Sequence, residues 1–189
     1  SNGDPFTGST DTLDYTLTSF EESPLNRPYQ VTPPDWYATT YGYGSNASTI
    51  NILGTNYAAG TLKLDTITDP NGNQQITYSD VKGRLLQQEQ LSSNGATSIE
   101  TRYQYDPEDR PITIVPPGSD LTDSGLIYSY QYDERDRVVE KKMPDQGAID
   151  YVYDDRDLST AMRDAVRRSE GKWIHTHYDE YGRAEATGF

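Results

Sequence analysis

The chain has 189 residues, no cysteine, and a formal net charge of −14 from 16 Lys and Arg against 30 Asp and Glu. That balance argues against nucleic-acid binding, which needs a basic footprint. The missing cysteines exclude disulfides and thiolate metal sites, and no apolar run approaches membrane-spanning length.

The opening SNGDPFTGSTD has no initiator Met, no basic segment and no apolar stretch, and reads as a mature or truncated start. Residues 1–10 are expected to be a disordered polar tail, with a repeat region over 11–189. Residues 13–20 alternate as a strand does. Residues 28–34, with Pro28, Pro33 and Pro34, read as an irregular connection. Tyr41-Gly42-Tyr43-Gly44 reads as a degenerate turn tip, and 49–53 and 61–68 as strands. Pro116 to Ser124 is expected to be a loop. In TAMRDAVRRS (160–169) Ala161, Met162, Ala165 and Val166 sit at helical spacing. The repeat described next instead favours a strand through about Arg163, at most one helical turn, and a further strand over 172–178.

Aligning the arginines exposes an internal repeat. Its turn segments are Ser23-Pro24-Leu25-Asn26, Asp69-Pro70-Asn71-Gly72, Asp80-Val81-Lys82-Gly83, Asp106-Pro107-Glu108-Asp109, Asp133-Glu134-Arg135-Asp136, Asp154-Asp155-Arg156-Asp157 and Asp179-Glu180-Tyr181-Gly182. Asp or Ser first and Pro second are type I turn preferences. Asn, Gly or Asp in fourth place tolerates a left-handed backbone, and together they specify a hairpin tip with a G1 bulge. Arg27, Arg84, Arg110, Arg137 and Arg183 follow at the fifth position and begin the returning strand. Tyr103 and Tyr105, Tyr130 and Tyr132, and Tyr151 and Tyr153 are each two apart, so each pair shares a sheet face. Asp69 and Asp80, only 11 apart, are expected at opposite ends of one strand. Leu, Ile, Val and Phe supply only 32 residues, a poor core, but 16 Tyr are present. Tyrosine buries a ring while wetting its hydroxyl, so an all-β sheet can fold from this composition. An exposed Asp–Arg pair contributes at most ~1 kcal/mol, so its expected use is to fix turn geometry and register.

At FEESPLNR, TDPNGNQQITYSDVKGR, YQYDPEDRPITIVPP, YQYDERDRVVEKKMP and YDEYGR the chain resembles the YD-repeat, or RHS-repeat, family of large bacterial secreted and surface proteins. Insecticidal toxin-complex subunits and teneurins are relatives of that family. The resemblance spans roughly residues 20–183 and is closest to the N-terminal repeat segment. It implies antiparallel β-hairpins side by side in an open, curved sheet, part of a spiral shell that encloses a C-terminal effector. The implied partners are the remaining repeats and that effector, and the implied location is extracellular or on the bacterial surface, with no cofactor. Asn73 and Leu158 stand where arginine is expected, and Phe20 and Glu22 replace the tyrosines of the Ser23 copy. No core segment with an aspartyl self-cleavage motif is found, so this piece should neither cut itself nor carry a toxin. The chain stops soon after a motif, as a cut from something longer would.

The structural turn residues are therefore Asp69, Gly72, Asp80, Gly83, Arg84, Asp106, Asp109, Arg110, Asp133, Asp136, Arg137, Asp154, Asp179, Gly182 and Arg183, with no catalytic residue. His175, His177 and Asp179 would share a strand face as zinc ligands do, but the turn already claims Asp179. Asp69-Pro70-Asn71-Gly72-Asn73 lacks the glycine at position six of a calcium loop. No G-x-S-x-G is present, and carboxylates at solvated turns are poor hydrolase candidates. The alternative to a non-catalytic wall segment is a binding module in which Trp36, Trp173, Tyr103 and Tyr130 stack on surface glycans or meet a protein.

Overall fold

A computed structural model describes residues 15–34 and 37–189. The polar tail expected over residues 1–10, and residues 13 and 14 of the strand expected over 13–20, lie outside them. The described chain is all-β apart from one helical turn. Its strands are β1 (Leu17–Phe20), β2 (Pro28–Thr32), β3 (Thr39–Ser45), β4 (Ile50–Ile52), β5 (Thr55–Tyr57), β6 (Lys63–Thr68), β7 (Gln74–Ser79) and β8 (Leu85–Leu91). They continue with β9 (Ser98–Tyr105), β10 (Pro111–Val115), β11 (Tyr128–Tyr132), β12 (Val138–Met143), β13 (Gly147–Tyr153), β14 (Ser159–Arg163), β15 (Ile174–Tyr178) and β16 (Ala184–Gly188), with α1 (Ala165–Ser169) before β15. Fourteen strands form an open antiparallel sheet in which sequence neighbours pair, except that β3 pairs β6 and the β4–β5 hairpin stands apart. Two compact units are distinguished, 15–50 with 56–99, and 51–55 with 100–189.

In the first unit the Ser23 and Asp80 tips lie at one end of the strands, and the Asp69 tip lies at the other. The pairings Thr40↔Thr68 and Ser45↔Lys63 fix that polarity, so Asp69 and Asp80 do cap opposite ends of β7. A further tip lies at Ser92–Gly95, outside the seven turns of the sequence repeat. Gly95 donates its N–H to the Ser92 carbonyl at 2.8 Å and is left-handed at φ 67°, the same closure as the repeat tips.

Two local readings are corrected. Residues 28–32 form a strand, because Pro28 occupies its first position, where a missing N–H is tolerated. Tyr41 to Gly44 lie inside β3 rather than at a tip. The chain instead leaves the sheet after Ser45 and returns at Lys63, and Asn46 closes the neck of that excursion. Its side chain, 2% exposed, donates to the carbonyls of Ser48 and Ala58, both at 2.8 Å. It accepts from the Leu62 amide at 2.9 Å, beside the fully buried Leu62 side chain.

The second unit pairs β9 through β16 in sequence order, with Val115 and Ala161 buried. The loop expected over Pro116 to Ser124 is present and runs three residues further, to the start of β11. The ambiguous stretch resolves into β14, one helical turn and β15. Asp164 caps α1 by accepting from the Arg167 amide. Gly147 lets α1 approach, since a Cβ there would stand 2.7 Å from that of Ala165, and its φ is +73°.

Among the described residues only Ile52, Leu62, Tyr78, Leu86, Val115 and Ala161 form a buried apolar core. Ordered tips and cross-strand contacts must therefore carry much of the specificity. Asn46→Ala strands the Leu62 amide in a buried setting and should cost about 1–3 kcal/mol in urea unfolding. An unchanged midpoint would remove Asn46 from its role at the neck.

Candidate functional site

All seven fourth-position residues are left-handed: Asn26 (φ 46°), Gly72 (83°), Gly83 (83°), Asp109 (66°), Asp136 (61°), Asp157 (65°) and Gly182 (79°). In each, the fourth N–H donates to the first carbonyl at 2.9–3.2 Å, closing the turn. Asp69, Asp80, Asp106, Asp133, Asp154 and Asp179 use their side chains alike. One carboxylate oxygen accepts from the amides of the third and fifth residues at 2.8–3.1 Å. The other takes the Nε of Arg84, Arg110, Arg137 or Arg183 at 2.6–2.7 Å. A further register shift, one residue into the returning strand, follows the Ser23, Asp80, Asp106, Asp133, Asp154 and Asp179 tips.

The arginine does more than fix its own turn. Arg110 Nη1 donates to the Asp133 carbonyl at 3.1 Å and to Asp136 Oδ1 at 2.7 Å. Arg137 Nη1 repeats this one tip later, with the Asp154 carbonyl at 3.0 Å and Asp157 Oδ1 at 2.8 Å. Each guanidinium also lies over the next copy's tyrosine, Arg110 at 4.9 Å from the Tyr132 ring centre and Arg137 at 4.8 Å from that of Tyr153, a favourable cation–π geometry. Those tyrosines answer backwards: Tyr132, Tyr153 and Tyr178 donate their hydroxyls to the carbonyls of Pro111, Val138 and Ser159 at 2.8–2.9 Å. The expectation of an exposed pair is corrected by this cover. The side chains of Arg110 and Arg137 are 22% and 20% exposed, whereas Arg183, with no following tip among the described residues, is 76% exposed.

The irregular copies show which part is indispensable. Where Leu158 replaces the fifth-position arginine, Arg156 reaches the next tip from the third position, donating to the Asp179 carbonyl at 2.8 Å. Leu158 packs instead beneath Gly182. Asn73 holds Asp69 Oδ2 through its side-chain amide at 2.8 Å and accepts from the Ser93 amide at 3.1 Å, joining two tips without charge. In the Ser23 copy the loop is wider, since Glu21 N–H pairs with the Arg27 carbonyl. Glu21 replaces the missing aspartate, accepting from Arg27 Nε at 2.7 Å. Arg27 lies 3.9 Å from the ring centre of Tyr43, whose hydroxyl donates to the Pro28 carbonyl, so Tyr43 serves as a repeat tyrosine from within β3.

The ligand candidates do not converge. Trp36 lies outside the described residues. Tyr103 on β9 and Tyr130 on β11 are separated by β10, and Trp173 precedes β15, four strands beyond β11. At ~4.8 Å per strand they cannot grip one small ligand. Arg163 lies 4.3 Å from the Trp173 ring centre and covers one of its faces. Among the described residues no group of three His, Asp or Glu is placed to hold a metal ion. The carboxylates of Asp69 and Asp179 are both engaged by turn donors.

The side-chain hydrogen bond from Arg27, aided by Ser23, holds the Glu21 carboxyl at about 2, against an ordinary 4.5. Burial raises Asp106 and Asp133, but the amide and guanidinium of Arg110 and Arg137 outweigh it and leave both lowered. The Leu158 and Arg183 amides lower Asp154 and Asp179. Lowered folded-state values mean the unfolded chain binds protons more readily, so this stabilisation is complete above the ordinary carboxylate range and is lost as pH falls through the folded values. Melting temperature should fall as pH drops from 4.5 toward 2, and Glu21→Gln should flatten part of that slope. Arg156→Ala should lower the melting temperature more than Glu180→Ala, and adding Leu158→Arg should restore it. Equal effects of the two single changes would count against Arg156 as the replacement staple.

No protein-family model matches the chain, and no curated protein matches it.

Proposed function

We propose that this chain is a non-catalytic structural segment of a YD/RHS-repeat protein, a stretch of β-wall that helps enclose or present a C-terminal effector outside the cell or at the bacterial surface. The observation that carries the reading is Arg183. Its Nε is seated on Asp179 Oδ2 at 2.6 Å, in the posture that Arg110 and Arg137 adopt. Among the described residues its outer nitrogens meet no following tip, and β16 is exposed along its whole length with β15 as its one partner. Another hairpin of the same design would cover both. The carboxylates with shifted acidity at the tips are all lowered, whereas a general acid needs a raised value, which favours scaffold over hydrolase. The partners on this reading are further repeats and the effector of the parent chain. No role is assigned to nucleic acid, a bilayer or a cofactor.

In repeat arrays stability grows with each favourable neighbour interface. Appending a second copy of residues 128–183 after Gly188 should raise the melting temperature in one cooperative transition and bury the Arg183 side chain, which is 76% exposed here. A separate, lower transition for the appended copy, or no change at all, would sink the wall-segment reading.

A further inference from the structure

We propose that His175 and His177, on one face of β15, chelate a Cu2+ ion, a role that goes beyond the wall-segment reading and does not depend on it. Exposure alternates along the strand: His175 and His177 are exposed, whereas Ile174, Thr176 and Tyr178 are half-buried. Residues two apart on a strand lie ~6.6 Å from each other. Two imidazoles leaning together from that spacing reach a common ion at bond lengths of ~2.0–2.1 Å. The flanking strands leave that movement free. His175 pairs with Ala161 on β14 and with Gly188 on β16, and His177 pairs with Ala186, so no side chain directly beside the pair is larger than a methyl group. Neither imidazole makes a hydrogen bond, ion pair or ring contact with another described residue. Both rings keep their nitrogens uncommitted.

The ligand set selects the ion. Calcium and magnesium take oxygen ligands, which an imidazole pair does not offer. A structural Zn2+ site is closed by four protein ligands, and among the described residues no third His, Asp or Glu joins the pair. Asp179, the next acidic residue along the chain, is held by its own turn. Two adjacent nitrogens with water in the remaining positions suit tetragonal Cu2+, which also stands highest among the first-row divalent ions at a given nitrogen site. The net charge of −14 adds a general attraction for cations. Further strands would join beside β16, in the hydrogen-bonding direction of the sheet, so growth of the repeat leaves the imidazole face uncovered.

The test titrates the whole chain with CuCl2, using glycine as a competing chelator, and follows calorimetry and electron paramagnetic resonance. Binding should saturate at one ion per chain, and the spectrum should carry hyperfine splitting from two imidazole nitrogens. His175→Ala and His177→Ala should each weaken binding ~10-fold or more, because a chelate needs both rings. Neither change should move the melting temperature of the metal-free protein. Zn2+ should bind less tightly than Cu2+, and excess Ca2+ should not displace it. Binding that survives both changes would place the ion elsewhere on the chain. Loss with only one of the two changes, or copper-driven dimers in sedimentation, would mean that the two rings of one strand do not share the ion. Any of those results, or no saturable binding by folded protein, overturns the proposal. None of them bears on the appended-repeat experiment, so the two readings fail separately.

Discussion

The regular tips of this protein, six of the seven in the repeat, depend on one carboxylate at the first position of the turn. A hairpin tip leaves amide donors pointing into its own concavity, and a side chain short enough to turn back on them must supply the acceptor. Aspartate does so with one oxygen and keeps the other for a guanidinium. The arginine, held through Nε, then has its outer nitrogens directed away from its own tip. A planar fork with five donors can face two partners at once, which a lysine in the same place could not do. The turn thus orients the group that joins it to the next turn.

A chain with so little buried aliphatic surface needs this arrangement. Leu62 and Val115 are the largest fully buried side chains among the described residues, and most strand positions are half-buried. Tyrosine suits that condition, because the ring covers a neighbour while its hydroxyl satisfies a strand carbonyl such as those of Pro111 and Val138. Register is then fixed by directional contacts at the tips more than by sorting of apolar and polar faces.

The turns were legible because their chemistry is local. Four consecutive residues state the backbone conformation, and φ at Asn26 through Gly182 agrees at every copy. What could not be read were contacts between copies. Nothing in Asp-Asp-Arg-Asp announces that Arg156 works for the tip at Asp179, although the leucine at 158 left a vacancy that an arginine nearby could fill. The excursion after Ser45 was hidden for another reason. Tyrosines two apart mark the approach to a tip elsewhere, but in β3 they mark only a strand, and the decisive residue, Asn46, looks like any loop asparagine until its three partners are known. Residue type alone marks Tyr103, Tyr130 and Trp173 as able to stack on a ring, and type does not decide which strands lie between them.

The staples in the second unit all point one way. Arg110, Arg137 and Arg156 reach toward the tip that is made after their own, and none reaches back. For a chain emerging from the ribosome, each hairpin can close its turn as soon as it appears, yet it is locked only when its successor has been synthesised. Order would spread along the chain one hairpin behind synthesis, with the newest tip always provisional.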